Sequence, residues 1–526
     1  MKKTWNPILL PLAFLPAAFL FMNIGTYSLW DDETMTSLIA QGVRLSGDTS
    51  AQLGDNIVAY REGIALRGLK DRFSPPLPTY LVALSMQIFG SGSFSARLPF
   101  ILAGLLSFFL VIFWMSYDHL PWPFQAVLII GILGNVSLLL YFRQARYYGL
   151  VILFFLALLY FYSHPKANLR WALGGAGCIT GLFLTHPLAF VSVGGACLAD
   201  SLIFGRKQYF KACLPLSYVF VPAGFVIGIS LFIWNPYLTK HAEYQQHITI
   251  VDRLTLFVWN WRDATATEFF SPILMIAALV LGVIRRSALP FRLSLAIFII
   301  ITLASAITHQ MVSVTSVADI RYIIPIIPLG IWLSGWFIWT VLGQIPWLAI
   351  AAAFLVFWTN IFNGFLINGV PFRSTPILFF GELLHPNPEP YAPTARWIQQ
   401  HVHRGKSIWV LPDYMTYPLM FHAPEAVYAW QLDPKQRSEP QFSSLPDIHF
   451  KGLVMPDYIV AFGPVVQQVR QLCSQWAMQG VRYREEARLF TFWKDLYRPE
   501  LFWRTFKPIE NFDPNTEAIY IFQRQT

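Results

Sequence analysis

The chain has 526 residues, of which 55% are hydrophobic, 16% aromatic and only 13% charged, with a formal net charge of +9. The mean hydropathy of +0.48 excludes an ordinary soluble enzyme and predicts a polytopic membrane protein. The positive charge does not indicate a nucleic-acid partner, because lysine and arginine are expected in the cytoplasmic loops of membrane proteins. The four cysteines form no CxxC pair and predict no disulfide framework.

Apolar segments close to the roughly 20 residues that cross a bilayer recur along the chain. Lys2 and Lys3 precede the first segment, and no small-residue cleavage site follows it, so we predict a retained span with a cytoplasmic N-terminus. We predict about eleven transmembrane helices, near residues 7–24, 97–116, 123–141, 149–163, 171–186, 188–204, 213–234, 272–284, 293–308, 322–342 and 346–367.

The apolar segment 77–90 is short for a span, and its placement decides the topology. If it does not cross, the basic loops 164–170, 205–211 and 285–292 all face the cytoplasm, as the positive-inside rule requires. We therefore predict that 77–90 lies along the outer surface. The outer side then receives the remaining polar segments: 25–96, 141–148, the turn at His186, 235–271, 308–321 and the C-terminal region.

Three adjacent acids, Asp31, Asp32 and Glu33, follow the first span in the sequence LWDDE. Apolar residues at helical spacing predict an amphipathic helix over 31–43 on the outer membrane surface, with the stripe Met35, Leu38, Ile39 and Val43. At about 100° per residue, Asp31 and Asp32 flank this stripe and Glu33 points away from it. The acids either stabilise the helix dipole or include a general base, because desolvation and like-charged neighbours raise a carboxyl pKa.

Two further outer segments carry polar residues beside apolar runs. Arg143 and Arg146 lie among four aromatic residues in YFRQARYY, which is typical of an interfacial belt or of an anion site. His186 interrupts an apolar run, and a lone histidine there is either structural or functional. Asp319 and Arg321 begin a later span, either as a pair at the helix end or with Arg321 as a second phosphate ligand.

An acid opposed by two or more arginines on one face suits a transferase with a lipid-phosphate donor. A base removes the proton of an acceptor hydroxyl, and the cations stabilise the phosphate leaving group. The sequence contains no Walker A loop, no GxGxxG opening a nucleotide fold and no HExxH. The chemistry is therefore predicted to be extracytoplasmic and independent of cytosolic nucleotides.

The composition becomes that of a soluble domain from about residue 382, so we predict a transmembrane domain over 1–368 and an extracytoplasmic α/β domain over 382–526. Its predicted helices are 392–402 and 465–480, and its predicted strands are 407–412, 457–463, 488–493 and 518–523. This domain either packs on the membrane domain or binds an acceptor or partner.

Six motifs in order resemble the GT-C superfamily of membrane glycosyltransferases, in particular the bacterial branch of protein O-mannosyltransferase-like enzymes and lipid A aminoarabinose transferases. They span roughly the first two thirds of the chain: WDDE (30–33), FSPPLPTYL (73–81), ARLPFILAGLL (96–106), QARYYGL (144–150), THP (185–187) and RYIIPIIP (321–328).

The resemblance implies that Asp32 is the catalytic or metal-linked carboxylate, with Glu33 assisting it. It also implies a set of residues that bind the donor or the acceptor: Arg146, Tyr147, His186, Arg321 and Tyr322. The implied reaction moves a sugar from a polyprenyl-phosphate donor to a hydroxyl of a lipid, glycan or protein, with inversion, at the outer face of a bacterial inner membrane. The alternative is a transporter or flippase for a lipid-linked anion, which would use the same arginines without a base.

Two positions depart from the family pattern. Gln144 stands where the family often has an acid, which argues against a metal site built from two carboxylates. A divalent cation is therefore a possible cofactor but not a required one. Ser74 stands where aminoarabinose transferases carry a lysine, with Lys70 and Arg72 nearby, which argues against aminoarabinose as the sugar.

Overall fold

The computed structural model describes residues 9–164, 168–204, 209–235, 248–267, 272–308, 320–366, 369, 371–386, 388–463, 465–491 and 518–525. The basic pair Lys2 and Lys3 and the acid Asp319 lie outside these residues. Parts of other predicted segments also lie outside them: 164–170, 205–211, 235–271, 308–321 and 488–493. The described part is a helical domain followed by a C-terminal domain built on a five-stranded sheet.

Each predicted span coincides with helical structure. The helices of this first part are α1 Leu9–Phe21, α2 Asp31–Ser46, α3 Pro76–Phe89, α4 Ser93–Tyr117, α5 Trp122–Gly134, α6 Val136–Phe142, α7 Tyr148–Ser163, α8 Leu169–Thr185, α9 Pro187–Phe204, α10 Tyr209–Trp234, α11 Ile250–Thr267, α12 Pro272–Arg285, α13 Leu289–Ile307, α14 Ile326–Leu342 and α15 Pro346–Trp358. A 3₁₀ turn, Ile320–Tyr322, precedes α14, and a π turn, Ile361–Phe365, follows α15.

Within the described residues, α4, α9 and α13 are long and apolar enough to cross a bilayer alone, and α5 with α6 makes a fourth candidate if this bent pair is one span. The other apolar helices are shorter. The chain is therefore a helical protein with several membrane-compatible helices, and the count of eleven spans remains a prediction.

The predicted span 123–141 is broken at Asn135, where α5 and α6 meet at an angle of 66°. The Asn135 side chain accepts a hydrogen bond from Leu138 N at 2.6 Å and so caps the second helix. Arg143 follows α6 and donates to the carbonyl groups of the α1 end, at 2.7 Å to Phe19 and 2.7 Å to Met22. Arg143 therefore caps a helix, and only Arg146 of the two arginines in YFRQARYY turns to the site described below.

Helix α2 confirms the helix predicted after LWDDE and extends it to Ser46. It ends at Gly47, whose φ of 76° lets its N–H bond the Val43 carbonyl at 2.8 Å. The apolar stripe was expected to face the membrane surface, but Leu38 and Ile39 are buried in a core shared with α3 and the C-terminal domain. The C-terminal domain that covers this stripe lies far along the chain, so no local pattern in the sequence indicates the contact.

The segment 25–96, predicted to be the first outer loop, also contains two short antiparallel hairpins, β1 Gln52–Leu53 with β2 Asn56–Ile57 and β3 Leu66–Arg67 with β4 Lys70–Asp71. Helix α3 packs against α2 and α4. Its 14 residues make a helix of about 21 Å, shorter than the roughly 30 Å hydrocarbon core of a bilayer. Whether it lies along the outer surface remains a prediction.

The C-terminal part contains α16 Thr375–Leu384, α17 Tyr391–His401, α18 Thr416–His422 and α19 Val465–Met478, with strands β5 Ser407–Leu411, β6 Val427–Tyr428, β7 Tyr458–Phe462, β8 Tyr483–Phe490 and β9 Ala518–Arg524. The sheet order is β6-β5-β7-β9-β8. The first three strands are parallel, and β9 runs antiparallel to both of its neighbours. The predicted α/β character is confirmed, whereas the side of the membrane on which this domain lies remains a prediction.

Candidate functional site

The three adjacent acids of LWDDE occupy three different environments. Asp31 and Glu33 are fully buried at 0% exposure, whereas the Asp32 side chain keeps 14%. Asp31 is the first residue of α2, and its charge acts on Tyr417 of the C-terminal domain. Burial raises the pKa of Tyr417 well above its ordinary value, and the Asp31 charge adds to this shift. Because each acid has its own surroundings, their adjacency does not place three charges in one site.

Glu33 is held by a buried arginine from α4. Arg97 contacts both of its oxygens, Nε to Oε1 at 2.8 Å and Nη2 to Oε2 at 2.7 Å. Glu33 also accepts from the backbone N–H of Ala145 at 2.6 Å, next to Arg146 in the chain. The prediction that Glu33 points away from the buried face is wrong, because Arg97, 64 residues later, supplies a buried partner.

Asp32 lies between two arginines that arrive from different loops. Arg146 Nη2 is 3.3 Å from Asp32 Oδ2, and Arg321 Nη1 forms an ion pair with the same oxygen. Arg146 also donates to the hydroxyl of Thr36 on α2 at 3.2 Å. The structure thus brings together three predicted site residues that are separated by more than a hundred positions in the chain.

An aromatic stack lies beside this charged group. The Tyr147 and His186 rings are 4.1 Å apart and nearly parallel, and the Tyr322 ring lies nearly parallel to His186 with its centroid 6.1 Å away. Each arginine rests on the tyrosine that follows it, Arg146 at 5.5 Å and Arg321 at 5.3 Å from the ring centroids. All five predicted substrate-binding residues therefore form one cluster around Asp32.

His186 lies between α8 and α9, and its Nδ1 accepts a hydrogen bond from Ala189 N at 3.2 Å. This bond assigns the neutral tautomer that carries its proton on Nε2, so the ring can donate from that atom.

Buried polar atoms at this cluster indicate a polar ligand. Among the described residues, Arg146 Nε, Tyr147 OH and Thr185 Oγ1 are buried without a hydrogen-bond partner. Buried polar groups in proteins are normally satisfied, and the phosphate and hydroxyl groups of a ligand could satisfy these. Thr185 belongs to the motif THP, and its position next to His186 is the signal in the sequence that points to it.

The basic residues near Ser74 have partners of their own. Arg72 contacts both oxygens of Asp48, at 2.8 and 2.7 Å, and lies over the Trp234 ring at 5.1 Å. Lys70 binds the same Asp48 at 2.7 Å. These contacts fasten residues 48–72 to one another and to Trp234.

The carboxylates at the site do not form a metal-binding set. Among the described residues, no group of three or more His, Cys, Asp or Glu side chains could hold a metal ion. Both cations that contact Asp32 are guanidinium groups, and Glu33 is bound to Arg97. The described donor set therefore does not fit a divalent cation.

Two solved structures resemble this chain over most of its length. Both are ArnT from Cupriavidus metallidurans, an aminoarabinose transferase of the GT-C type. The structure bound to undecaprenyl phosphate has a TM-score of 0.52 at 14% identity and covers 99% of this chain and 98% of ArnT. The apo structure has a TM-score of 0.53 at 14% identity and covers 88% of this chain and 94% of the ArnT chain. The predicted GT-C resemblance is thereby confirmed at the level of the fold.

Comparison of the sequence with protein-family models finds no match, and a search of curated proteins finds none.

Proposed function

We propose that this protein is an integral membrane glycosyltransferase that moves a sugar from a polyprenyl-phosphate donor to an acceptor hydroxyl. The observation that carries the proposal is the carboxylate of Asp32 opposed by Arg146 and Arg321 in a chain with the ArnT fold. One solved structure of that fold binds undecaprenyl phosphate, which makes a polyprenyl phosphate the first ligand to test here.

The donor phosphate would bind Arg146 and Arg321, because planar guanidinium groups suit phosphate oxygens. The phosphate then competes with Asp32 for the same donors, so its binding releases the carboxylate. Before the donor binds, Asp32 offsets one of the two guanidinium charges at this partly buried site, so a net positive charge remains for the phosphate.

The released Asp32 carboxylate would accept the proton of the acceptor hydroxyl. The hydroxyl oxygen forms a bond to the anomeric carbon as the bond from that carbon to the phosphate oxygen breaks. The electron pair of that bond leaves with polyprenyl phosphate, whose negative charge the two guanidinium groups stabilise. Direct displacement inverts the configuration at the anomeric carbon.

The remaining residues would place the two substrates. Tyr147 OH and Thr185 Oγ1 are available as partners for donor oxygens, and His186 would donate from Nε2. The Tyr322 ring, nearly parallel to His186, would help to hold the imidazole in place. Glu33 was expected to assist catalysis directly, but its saturated pairing with Arg97 and Ala145 N favours a positioning role.

The finer features of the proposal rest on the sequence. The reaction would occur at the outer face of a bacterial inner membrane, with the C-terminal domain on the same side. Ser74 in place of a lysine argues against aminoarabinose as the sugar. The sugar would be another hexose or pentose, and the acceptor a lipid, a glycan or a protein.

A donor panel tests the proposal. Purified protein in lipid vesicles is given polyprenyl-phosphate sugars and envelope extracts as acceptors, and free polyprenyl phosphate is measured. We expect release from at least one donor, and a loss of at least about 100-fold in Asp32→Asn, because a general base contributes 10²–10⁴-fold. The exposed Asp447, in the C-terminal domain, provides a matched control, Asp447→Asn, which should keep full activity.

Unchanged release by a folded Asp32→Asn protein would overturn the assignment of the base. No release from any donor, together with movement of the lipid-linked anion across the vesicle membrane, would favour the transporter instead.

A further inference from the structure

The segment that leads into Asp32 is bound by side chains of the C-terminal domain. The Ser28 hydroxyl donates to Glu389 Oε1 at 2.9 Å, and Leu29 N donates to His422 Nε2 at 3.2 Å. Leu29 is fully buried at 0% exposure, so its N–H needs a protein partner. Both contacts join residues more than 350 positions apart in the chain.

The two C-terminal groups are themselves held in place. Glu389 accepts from the backbone N–H groups of Tyr391 at 2.8 Å and Ala392 at 2.9 Å, at the start of α17. His422 ends α18, and burial together with the Arg97 charge lowers its pKa to about 4. Its ring is therefore neutral near pH 7 and can accept from Leu29 N.

The same segment is held from the opposite side by the membrane domain. Arg97 on α4 donates to the carbonyl oxygens of Tyr27 at 2.9 Å and Ser28 at 3.0 Å. The carbonyl groups thus bind a transmembrane helix, whereas the N–H and hydroxyl groups bind the C-terminal domain. Asp32 follows Leu29 by three residues, so the direction of its side chain depends on the contacts from Arg97 and on those from the C-terminal domain.

Further contacts fix the first outer loop to the same domain. Asn56 donates to Ala426 O at 2.8 Å and accepts from Tyr428 N at 2.8 Å, so it pairs with strand β6 and with the residue before it. Gln436 donates to the Glu62 carbonyl at 2.8 Å. The C-terminal domain therefore binds the segment 25–96 at several positions beyond residues 28–29.

We propose that the C-terminal domain is a positioning element of the site, in which His422 and Glu389 hold residues 28–29 so that the Asp32 carboxylate meets the acceptor. This inference rests on the proposed function. It gives the domain a part in turnover beyond packing, because an error of about 1 Å at a reacting group can cost 10²-fold in rate.

The test compares two substitutions of His422. In His422→Gln the amide oxygen can still accept from Leu29 N, whereas His422→Leu fills similar space without an acceptor. We expect His422→Leu to lower kcat at least about ten-fold with little change in donor KM, and His422→Gln to restore most of kcat. The exposed His403 supplies the control, His403→Leu, which should leave both constants unchanged.

A second readout does not need turnover. Amide hydrogen exchange in a peptide covering 26–38 should be faster in His422→Leu than in wild type and close to wild type in His422→Gln. If wild type shows no transfer but this exchange pattern holds, the proposed function fails and the positioning contact stands. Equal kcat in the two His422 variants, or losses that follow only donor KM or thermal stability, would overturn the inference.

Discussion

Asp32 and Glu33 are adjacent in the chain but bind different arginines: Asp32 contacts Arg146 and Arg321, whereas Glu33 is paired with Arg97. Asp32 with Arg146 and Arg321 could be proposed because acids and arginines recur in segments assigned to one face. The pairing of Glu33 with Arg97 could not be predicted, because Arg97 lies near the start of an apolar helix, where an arginine is typical of a helix end. A buried ion pair is set by tertiary contacts that no local pattern reports.

This difference between neighbouring acids predicts different consequences of the same substitution. Glu33→Gln leaves Arg97 buried with a neutral partner, and breaking such a pair costs about 3–5 kcal/mol. We expect a clear fall in the melting temperature of Glu33→Gln in detergent and only a small change for Asp32→Asn. Glu486→Gln, at an exposed pair with Arg484, is the control and should be neutral. Equal melting temperatures for Glu33→Gln and wild type would refute the positioning role of Glu33.

At the scale of elements, strong apolar periodicity placed the helices correctly, and irregular details depended on partners. The break at Asn135 follows from a side-chain cap inside an apolar run, which hydropathy alone does not reveal. Strand β6 has only two residues and exists because β5 lies beside it. Strand β8 begins earlier than predicted, at Tyr483, because its exposed charged residues hide the alternation of an edge strand.

The stack that joins α7, α9 and the 3₁₀ turn gives a prediction at this scale. Tyr147→Phe keeps the ring on His186 and removes the buried hydroxyl. If that hydroxyl binds the donor phosphate, donor KM should rise about ten-fold or more, since hydrogen bonds to charged groups contribute 1.5–3 kcal/mol. Melting temperature should hardly change. Tyr520→Phe, on β9 far from the site, is the control, and an unchanged donor KM in Tyr147→Phe would show that the hydroxyl does not contact the donor.

At the scale of the whole molecule, segments predicted to share the outer face do meet at one end of the helical domain. Other polar contacts lie away from this site, including Arg292 with Asp200 at 2.7 Å and His164 with Asp118 at 2.7 Å. Charge patterning predicts which segments share a face, because short basic loops are expected in the cytoplasm. It could not predict that the first outer loop and the C-terminal domain share one core, because their contacts join the two ends of the chain.

The sidedness itself can be measured with reporters. Alkaline phosphatase, which is active only outside, should be active when fused after residue 92 and inactive when fused after residue 168. A fluorescent protein that folds only in the cytoplasm should give the reverse result at both positions. An active phosphatase after residue 168 would show that 77–90 crosses the membrane, and the predicted topology after that segment would then be reversed.

The central claim is that Asp32 and the donor phosphate share the guanidinium groups of Arg146 and Arg321. The most direct measurement is the affinity of purified wild type and Asp32→Asn for polyprenyl phosphate, made beside their turnover. We expect Asp32→Asn to bind polyprenyl phosphate more tightly, because its competitor has lost its charge, while it transfers almost no sugar. Weaker binding by Asp32→Asn, or turnover close to wild type, would contradict the account.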